Sequence, residues 1–217
     1  MVGVMLNKGP FCSACPLYNI GKGFVPDALA PNGAEFLLKG EAPGKNEIAE
    51  GKPFIGKAGF VLREWLMKAV PPLKIADEKG KVTYANTLRC LPPEIQGRAY
   101  PKGKDKEIAE ACCRQYDDWG TAHTVILFGE SSQRAYFGEE LAAEDATDRQ
   151  LGHEVKGVSG RSGRVYEKDG KRWVFCIHPA FILRQPSMVE SGQAALRIAA
   201  ETERAADVEY VDWSTIC

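Results

Sequence analysis

Five cysteines of this chain have the spacing of a metal or iron–sulfur site. Cys12 and Cys15 form a C-x2-C pair, which allows two thiolates to reach one metal centre. Cys90 follows a predicted strand, and Cys112 and Cys113 lie on the next predicted helix. Four thiolates hold either zinc or an iron–sulfur cluster, and a C-x2-C pair can also be redox-active. The spacing alone leaves these three interpretations open.

A glycine-rich segment, Gly40–Gly59, joins a predicted strand to a predicted helix. It contains G-x4-G-K at Gly51–Lys57, the spacing of a phosphate-binding loop. However, Ala58 stands where such a loop needs Ser or Thr to bind magnesium, and the strand ends about ten residues too early. We therefore do not expect nucleotide hydrolysis.

The same segment carries the parts of a pocket for a planar polar ring. Glu41 and Glu47 flank a Pro-Gly turn, and Phe54 lies in a loop bounded by glycines. A carboxylate, a flat aromatic face and backbone amides together suit such a ring. The alternative, equally open from this segment alone, is that Phe54 is a core residue and both glutamates are solvated.

The elements that must position these residues alternate between strand and helix. Alternation of this kind predicts a three-layer αβα fold of the α/β class, with a central, mainly parallel four-stranded sheet. Functional sites of such sheets lie beyond the carboxyl ends of the strands, where Glu41, Asn86 and His178 are found. The predicted strands are Phe36–Lys39, Val82–Asn86, Thr124–Phe128 and Trp173–Ile177, and the predicted helices are Ala58–Val70, Asp105–Trp119, Ser131–Tyr136 and Gly192–Ala206.

Composition limits the class of protein. The chain has 217 residues, with 28 Lys+Arg, 29 Asp+Glu and a net charge of −1. We expect a single domain over residues 1–217, with its core at 12–206 and an acidic tail at 207–217. No stretch approaches the roughly 18 apolar residues of a membrane helix, and the first residues lack a secretory signal, so we expect a cytoplasmic protein. The balanced charge argues against a wholly basic surface but permits a local basic patch.

Three motifs and the C-x2-C start give the chain a family resemblance. They are GEAPG-x2-E-x3-G-x-PF-x-G-x-AG at Gly40–Gly59, YANTLRCLPP at Tyr84–Pro93 and HPAFILRQP at His178–Pro186. In this order, from Cys12 to about Ala206, they resemble the iron–sulfur uracil-DNA glycosylases known as family 4. The resemblance implies their fold. It also implies a monofunctional enzyme that hydrolyses the N-glycosidic bond of flipped-out deoxyuridine, leaving an abasic site for base-excision repair.

The resemblance also implies a cofactor. Cys12, Cys15, Cys90 and one of Cys112 or Cys113 would bind a structural 4Fe–4S cluster, without a catalytic metal or nucleotide. We choose Cys113 because the sequence that it begins, Cys-Arg-Gln-Tyr, is closer to the motif of the family. Adjacent helical residues point about 100° apart, so we expect only one of the two to bind.

By the same resemblance, Asn86 would read the Watson–Crick edge of uracil and Phe54 would stack on its ring. His178 would donate to uracil O2. Glu41 would orient water or stabilise the cationic sugar, with Glu47 as the second candidate. Gly40 and Ala42 would complete the pocket, and Leu183, Arg184, Lys57 and Arg161 would contact DNA.

The expected partner is uracil-containing DNA, single- or double-stranded, bound by a monomer away from any membrane. Two alternatives stay open: a non-catalytic iron–sulfur DNA-binding module, and a related glycosylase for other deaminated bases. A structural zinc protein is a third class. The chain departs from the family at an acidic insert, Glu139–Asp148, and we expect a mobile loop at Gly157–Arg164.

Overall fold

The computed structural model describes residues 9–95 and 98–201. Among these residues, no helix has the length and apolar character needed to cross a membrane. The strands are β1 (Phe36–Gly40), β2 (Val82–Asn86), β3 (Glu94–Ile95), β4 (Arg98–Ala99), β5 (Thr124–Phe128), β6 (Val165–Lys168) and β7 (Lys171–Cys176). The α-helices are α1 (Lys45–Glu50), α2 (Lys57–Ala69), α3 (Pro71–Glu78), α4 (Gly103–Arg114), α5 (Gly129–Gln150), α6 (Val158–Arg161) and α7 (Val189–Ala200). Short 3-10 helices cover Pro10–Ala14, Pro179–Leu183 and Pro186–Met188.

The central sheet confirms the predicted fold class. Its strand order is β2-β1-β5-β7-β6, and the first four strands are parallel. β1 and β5 are buried along their whole length, as their sequences FLLKG and TVILF require of strands covered on both faces.

Alternate residues of the strands contribute their side chains to two hydrophobic cores, one on each face of the sheet. On one face, Leu38, Ile126 and Val174 pack with the apolar sides of α2, α3 and α7. On the other face, Leu37 and Val125 join a cluster that includes side chains of α5. Helices therefore cover both faces of the sheet, which is the predicted αβα arrangement.

The sheet has a fifth strand, which the sequence analysis did not include. β6 pairs antiparallel with β7 at the edge. Asp169 and Gly170 connect them, with φ values of 54° and 67°. Two residues with positive φ make the tight hairpin turn for which Asp-Gly is a strong signal, so the strand was visible in the sequence.

The helices differ from their predicted bounds mainly at α5. This helix covers Gly129–Gln150, with a kink at Phe137, so the acidic insert 139–148 is helical. α4 ends at Arg114, five residues before its predicted end, and α7 begins at Val189 and ends at Ala200. The predicted continuation of this last helix over residues 202–206, and the acidic tail 207–217, lie outside the described residues.

Candidate active site

The carboxyl ends of the parallel strands bring the predicted polar residues to one edge. Gly40 is the register partner of Asn86, so Glu41 begins its loop directly beside Asn86. His178 follows β7, and its charge interacts with that of Glu41. A cleft of about 370 Å³ opens here. It is lined by Ala42, Gly44, Lys45, Asn46, Glu47, Gly56, Lys57, Ala58 and His178.

Gly40, Phe54 and Asn86 form a tight group at the base of this edge. A Cβ added to Gly40 would lie 2.8 Å from Phe54 Cζ and 2.8 Å from Asn86 Oδ1, so only glycine allows this approach. Asn86 is buried, and its Nδ2 has no hydrogen-bond partner among the described residues. An unpaired buried donor costs about 1–3 kcal/mol, which a bound ligand with an acceptor would recover.

Phe54 is held in an unusual backbone conformation. Its φ is 55°, in the left-handed region that side chains rarely adopt. Arg63 Nη2 donates a hydrogen bond to Phe54 O at 3.0 Å. A Cβ on Gly59 would stand 1.7 Å from the same oxygen, so the loop lies directly on the first turn of α2. The Phe54 ring packs between Tyr84 and Phe128, at centroid distances of 5.8 and 5.9 Å.

His178 has a defined tautomer. Its Nδ1 accepts a hydrogen bond from the backbone N–H of Ala180 at 3.2 Å, which leaves the ring proton on Nε2. Burial lowers the pKa of His178, Glu41 opposes this shift, and Arg184 adds to it. The side chain is therefore a neutral imidazole with an Nε2–H to donate near neutral pH.

The two glutamates of the glycine-rich segment have different surroundings. Glu47 is buried, and its carboxylate accepts a hydrogen bond from the backbone N–H of Gly44 as part of the cap of α1. Glu41 is exposed and accepts a hydrogen bond from Ser131 Oγ at 2.8 Å. The capping bond of Glu47 gives it a structural task, and Glu41 is the carboxylate that solvent or a substrate can reach.

Three of the four predicted DNA contacts are at the surface. Leu183 and Arg184 are exposed at the end of the 3-10 helix that follows His178. Lys57 is exposed at the first turn of α2, on the rim of the cleft.

The expectation that Arg161 contacts DNA is corrected by its position. This side chain is 1% exposed and makes an ion pair with Asp145 of α5. Arg164, in the same segment, pairs with Glu144 at 2.5 Å. The acidic insert therefore forms ion pairs with the basic segment, part of which is the short helix α6 and not a loop.

The predicted cluster cysteines converge. Cys12, Cys15, Cys90, Cys112 and Cys113 line one small cavity together with Leu17, Tyr18 and Phe24. None of the six cysteines in the described part of the chain is in a disulfide. Burial is the main cause that raises the pKa of Cys15 to about 11, and Cys113, Cys112 and Cys12 each raise it further by their proximity.

This set of thiols fits a cluster by its chemistry. It offers sulfur donors in an apolar shell, as four-thiolate iron–sulfur sites do. Within the described ranges, no three His, Cys, Asp or Glu side chains are arranged to hold a single metal ion. Cys112 and Cys113 both border the cavity, so the choice of Cys113 stays a prediction.

Two residues that support these groups were not predicted from the sequence. Arg89, next to Cys90, is buried and donates hydrogen bonds to the backbone oxygens of Cys113 and Tyr116. Ser131 supports Glu41 from a segment that also follows a strand end. Position after a strand was a usable signal for Ser131, whereas the partners of Arg89 are set only by the fold.

Comparison with known proteins agrees with this arrangement. The sequence pattern of the Uracil DNA glycosylase superfamily matches residues 26–202. The type-4 uracil-DNA glycosylase of Pyrobaculum aerophilum is 26% identical over 181 residues, covering 82% of each chain. That of Sulfurisphaera tokodaii is 26% identical over 209 residues, covering 92% of this chain and 84% of its own. That of Saccharolobus solfataricus is 39% identical over 82 residues, covering 38% of this chain and 35% of its own. The match to the superfamily covers most of the chain, which therefore belongs to the Uracil DNA glycosylase superfamily.

Proposed function

We propose that this chain is a monofunctional uracil-DNA glycosylase. The observation that carries the proposal is the buried Asn86 amide, which abuts Gly40 together with the Phe54 ring and has an unpartnered Nδ2. Such a group suits a flat ring that offers an acceptor and a donor side by side. The names of the relatives described above support uracil as that ring.

The side-chain amide of Asn86 would recognise uracil. Nδ2 donates to uracil O4 while Oδ1 accepts from N3–H, and cytosine presents the reverse pattern. Phe54 stacks on the ring, and the Gly40 and Ala42 backbone closes the pocket around it. A base reaches such a pocket only after it has been flipped out of the stack, at a cost of a few kcal/mol.

Cleavage breaks the bond between uracil N1 and sugar C1′. The bonding electrons leave with uracil, and the negative charge that develops on O2 is stabilised by the Nε2–H of neutral His178. The sugar becomes cationic, and the Glu41 carboxylate stabilises it and orients a water. The water oxygen bonds to C1′ and loses a proton, uracil takes up a proton, and an abasic site remains.

We propose that Cys12, Cys15, Cys90 and Cys113 hold a 4Fe–4S cluster. The support is that these thiols border a single cavity in an apolar shell. The cluster, when bound, cross-links the chain and supplies no step of the hydrolysis. Arg89 helps to hold this site because it binds the backbone carbonyl of Cys113.

The proposed substrate is uracil-containing DNA, acted on by a monomer in the cytoplasm. Leu183 would enter the space that the flipped base leaves, and Arg184 and Lys57 would contact phosphates. The exposure of all three side chains beside the cleft supports these roles.

The test is release of uracil from labelled single- and double-stranded DNA with EDTA present. We expect release from uracil-containing DNA and none from matched thymine or cytosine DNA. Asn86→Ala removes two hydrogen bonds and should lower the rate about 10²- to 10⁴-fold, at about 1–3 kcal/mol for each bond. Asn32→Ala, at an exposed asparagine before β1, is the control.

Three results would contradict the proposal in different ways. DNA binding without base release by iron-loaded protein favours a binding module. Release of hypoxanthine or xanthine in preference to uracil favours a glycosylase for other deaminated bases. Purified protein that contains zinc and no iron favours the structural zinc class.

A further inference from the structure

The exposed carboxylate of Glu41 is the end of a chain of hydrogen bonds. Ser131 Oγ donates to Glu41 Oε1 at 2.8 Å, and Lys106 Nζ donates to Ser131 Oγ at 2.9 Å. Lys106 Nζ also lies 3.7 Å from Oε1 of Glu110, a buried carboxylate one helical turn further along α4.

The chemistry of the three groups fixes the direction of these hydrogen bonds. An ammonium group only donates and an ionised carboxylate only accepts. The hydroxyl of Ser131 has one proton, and Lys106 occupies its acceptor side, so that proton is directed at Glu41. The arrangement therefore directs a donor at one carboxylate oxygen of Glu41 and fixes the position of that oxygen.

Three separate parts of the fold contribute residues to this series of hydrogen bonds. Glu41 follows β1, Ser131 lies in the first turn of α5, and Lys106 lies in the first turns of α4. The first turn of a long helix carries positive potential, which further favours a carboxylate beside it. The Glu41 side chain is thus held by Ser131, which is itself held by Lys106, and both supporting residues lie on helices.

The charges near Glu41 are mixed. His178 and Glu110 both interact electrostatically with Glu41, and Lys106 lies beside Glu110. Without Lys106, two carboxylates would face each other at this point with less compensation. Lys106 therefore balances the pair as well as orienting Ser131.

We propose that Ser131 and Lys106 are positioning residues that hold the Glu41 carboxylate oriented for hydrolysis of the glycosidic bond. This inference rests on the proposed function. Neither residue touches the reacting atoms. They reduce the rotamers open to Glu41, so that its charge is already in place when the sugar becomes cationic.

The test is a double-mutant cycle measured by single-turnover uracil release with excess iron-loaded enzyme. Ser131→Ala should slow release about 10- to 100-fold, since small displacements of a catalytic group have effects of this size. In a Glu41→Ala background, the same change should alter the rate less than about twofold, because a residue that acts through Glu41 has nothing left to position. Ser131→Thr, which keeps the hydroxyl, should restore most of the rate.

Matched controls separate positioning from folding and from charge. Lys106→Ala and Lys104→Ala each remove one positive charge from α4, so Lys104→Ala measures the effect of the charge alone. Lys106→Ala should slow release more than Lys104→Ala does. Affinity for DNA that contains a tetrahydrofuran abasic analogue, and the thermal midpoint, should change little in Ser131→Ala.

Two outcomes would overturn the inference, and they are distinguishable. An active wild-type protein in which Ser131→Ala is harmless, or adds its full effect to that of Glu41→Ala, refutes the positioning role alone. A wild-type protein that releases no uracil refutes the proposed function and this inference with it.

Discussion

At the scale of single residues, the candidate site is defined by polar groups whose bonds to the protein are incomplete. Within the part of the chain that the structure describes, Asn86 keeps a buried N–H₂ without a hydrogen-bond partner. His178 uses Nδ1 within its own loop, which leaves Nε2–H as the donor. Glu47 forms the contrast, because its carboxylate is already bound to the backbone of Gly44. The contacts that each residue already makes thus separate the proposed ligand-binding groups from a group that is already bound to the protein.

The protonation of His178 leads to a pH prediction. Burial lowers its pKa, so this ring should titrate below the usual value of 6.5. The unfolded chain takes up this proton at higher pH than the folded chain does. The contribution to the free energy of unfolding is therefore complete above about pH 6.5 and decreases as the pH falls through the interval below it.

Nitrogen-15 NMR of the three imidazoles would measure this. The ring of His178 should be the Nε2–H tautomer and should titrate below the usual imidazole value of 6.5. Because Glu41 raises and Arg184 lowers the pKa of His178, Glu41→Gln should move its titration further down and Arg184→Ala should move it up. A His178 that titrates at or above pH 6.5 would contradict the neutral donor.

At the scale of secondary-structure elements, the strands were predictable and several supports of the site were not. β2 and β5 have the bounds predicted for them, and β5 has the nearly continuous hydrophobic sequence that strands covered on both faces need. Arg161 was misjudged because its partner, Asp145, lies on another helix that no local pattern connects to it. Ser131 was not predicted although it follows a strand, because its hydrogen bonds to Lys106 and Glu41 exist only in the folded chain.

The contact between the Phe54 loop and α2 yields a prediction at this scale. In Gly59→Ala, the new methyl would fall 1.7 Å from Phe54 O, so the loop has to move and the stacking face moves with it. We expect kcat/KM for uracil release to fall about 100-fold and the free energy of unfolding to fall by about 1–3 kcal/mol.

Gly138→Ala is the matched control, because Gly138 is also helical and a Cβ there meets no atom within 4 Å. This variant should be as active as the wild type and slightly more stable, by about 0.5–1 kcal/mol, since alanine favours a helix. Kinetics and denaturant unfolding of both variants check the prediction. A fully active Gly59→Ala protein would show that the position of the Phe54 loop does not limit the reaction.

At the scale of the whole molecule, some of the charged residues neutralise one another in the interior of the protein. Lys39 and Arg89 are almost completely buried and share Asp117, and Arg89 also pairs with Asp27 at 2.6 Å. Breaking such a buried pair leaves a charge without compensation, so the members depend on one another. Since Lys39 lies in β1 and Arg89 adjoins Cys90, this network joins the sheet to the cysteine cavity.

The helix α4 makes a second connection between the cysteine cavity and the active site. Its last turns carry Cys112 and Cys113, and its first turns carry Lys106, which supports Ser131 and so Glu41. A cluster bound to Cys113 of this helix and to Cys12 and Cys15 would cross-link the N-terminal segment to α4. Fixing one end of a rigid helix also fixes the other, so loss of the cluster should disturb catalysis as well as stability.

Cys15→Ser tests this coupling, with Cys176→Ser as its control because Cys176 is buried in β7 and does not line the cavity. Cys15→Ser should lose iron and the absorbance near ~400 nm that thiolate-bound clusters give. Its free energy of unfolding should fall by about 2–4 kcal/mol, the size typical of a lost cross-link. Single-turnover uracil release should slow as Lys106 becomes less well held. Cys176→Ser should keep iron and absorbance, and equal iron in the two variants would contradict the assignment of Cys15 as a ligand.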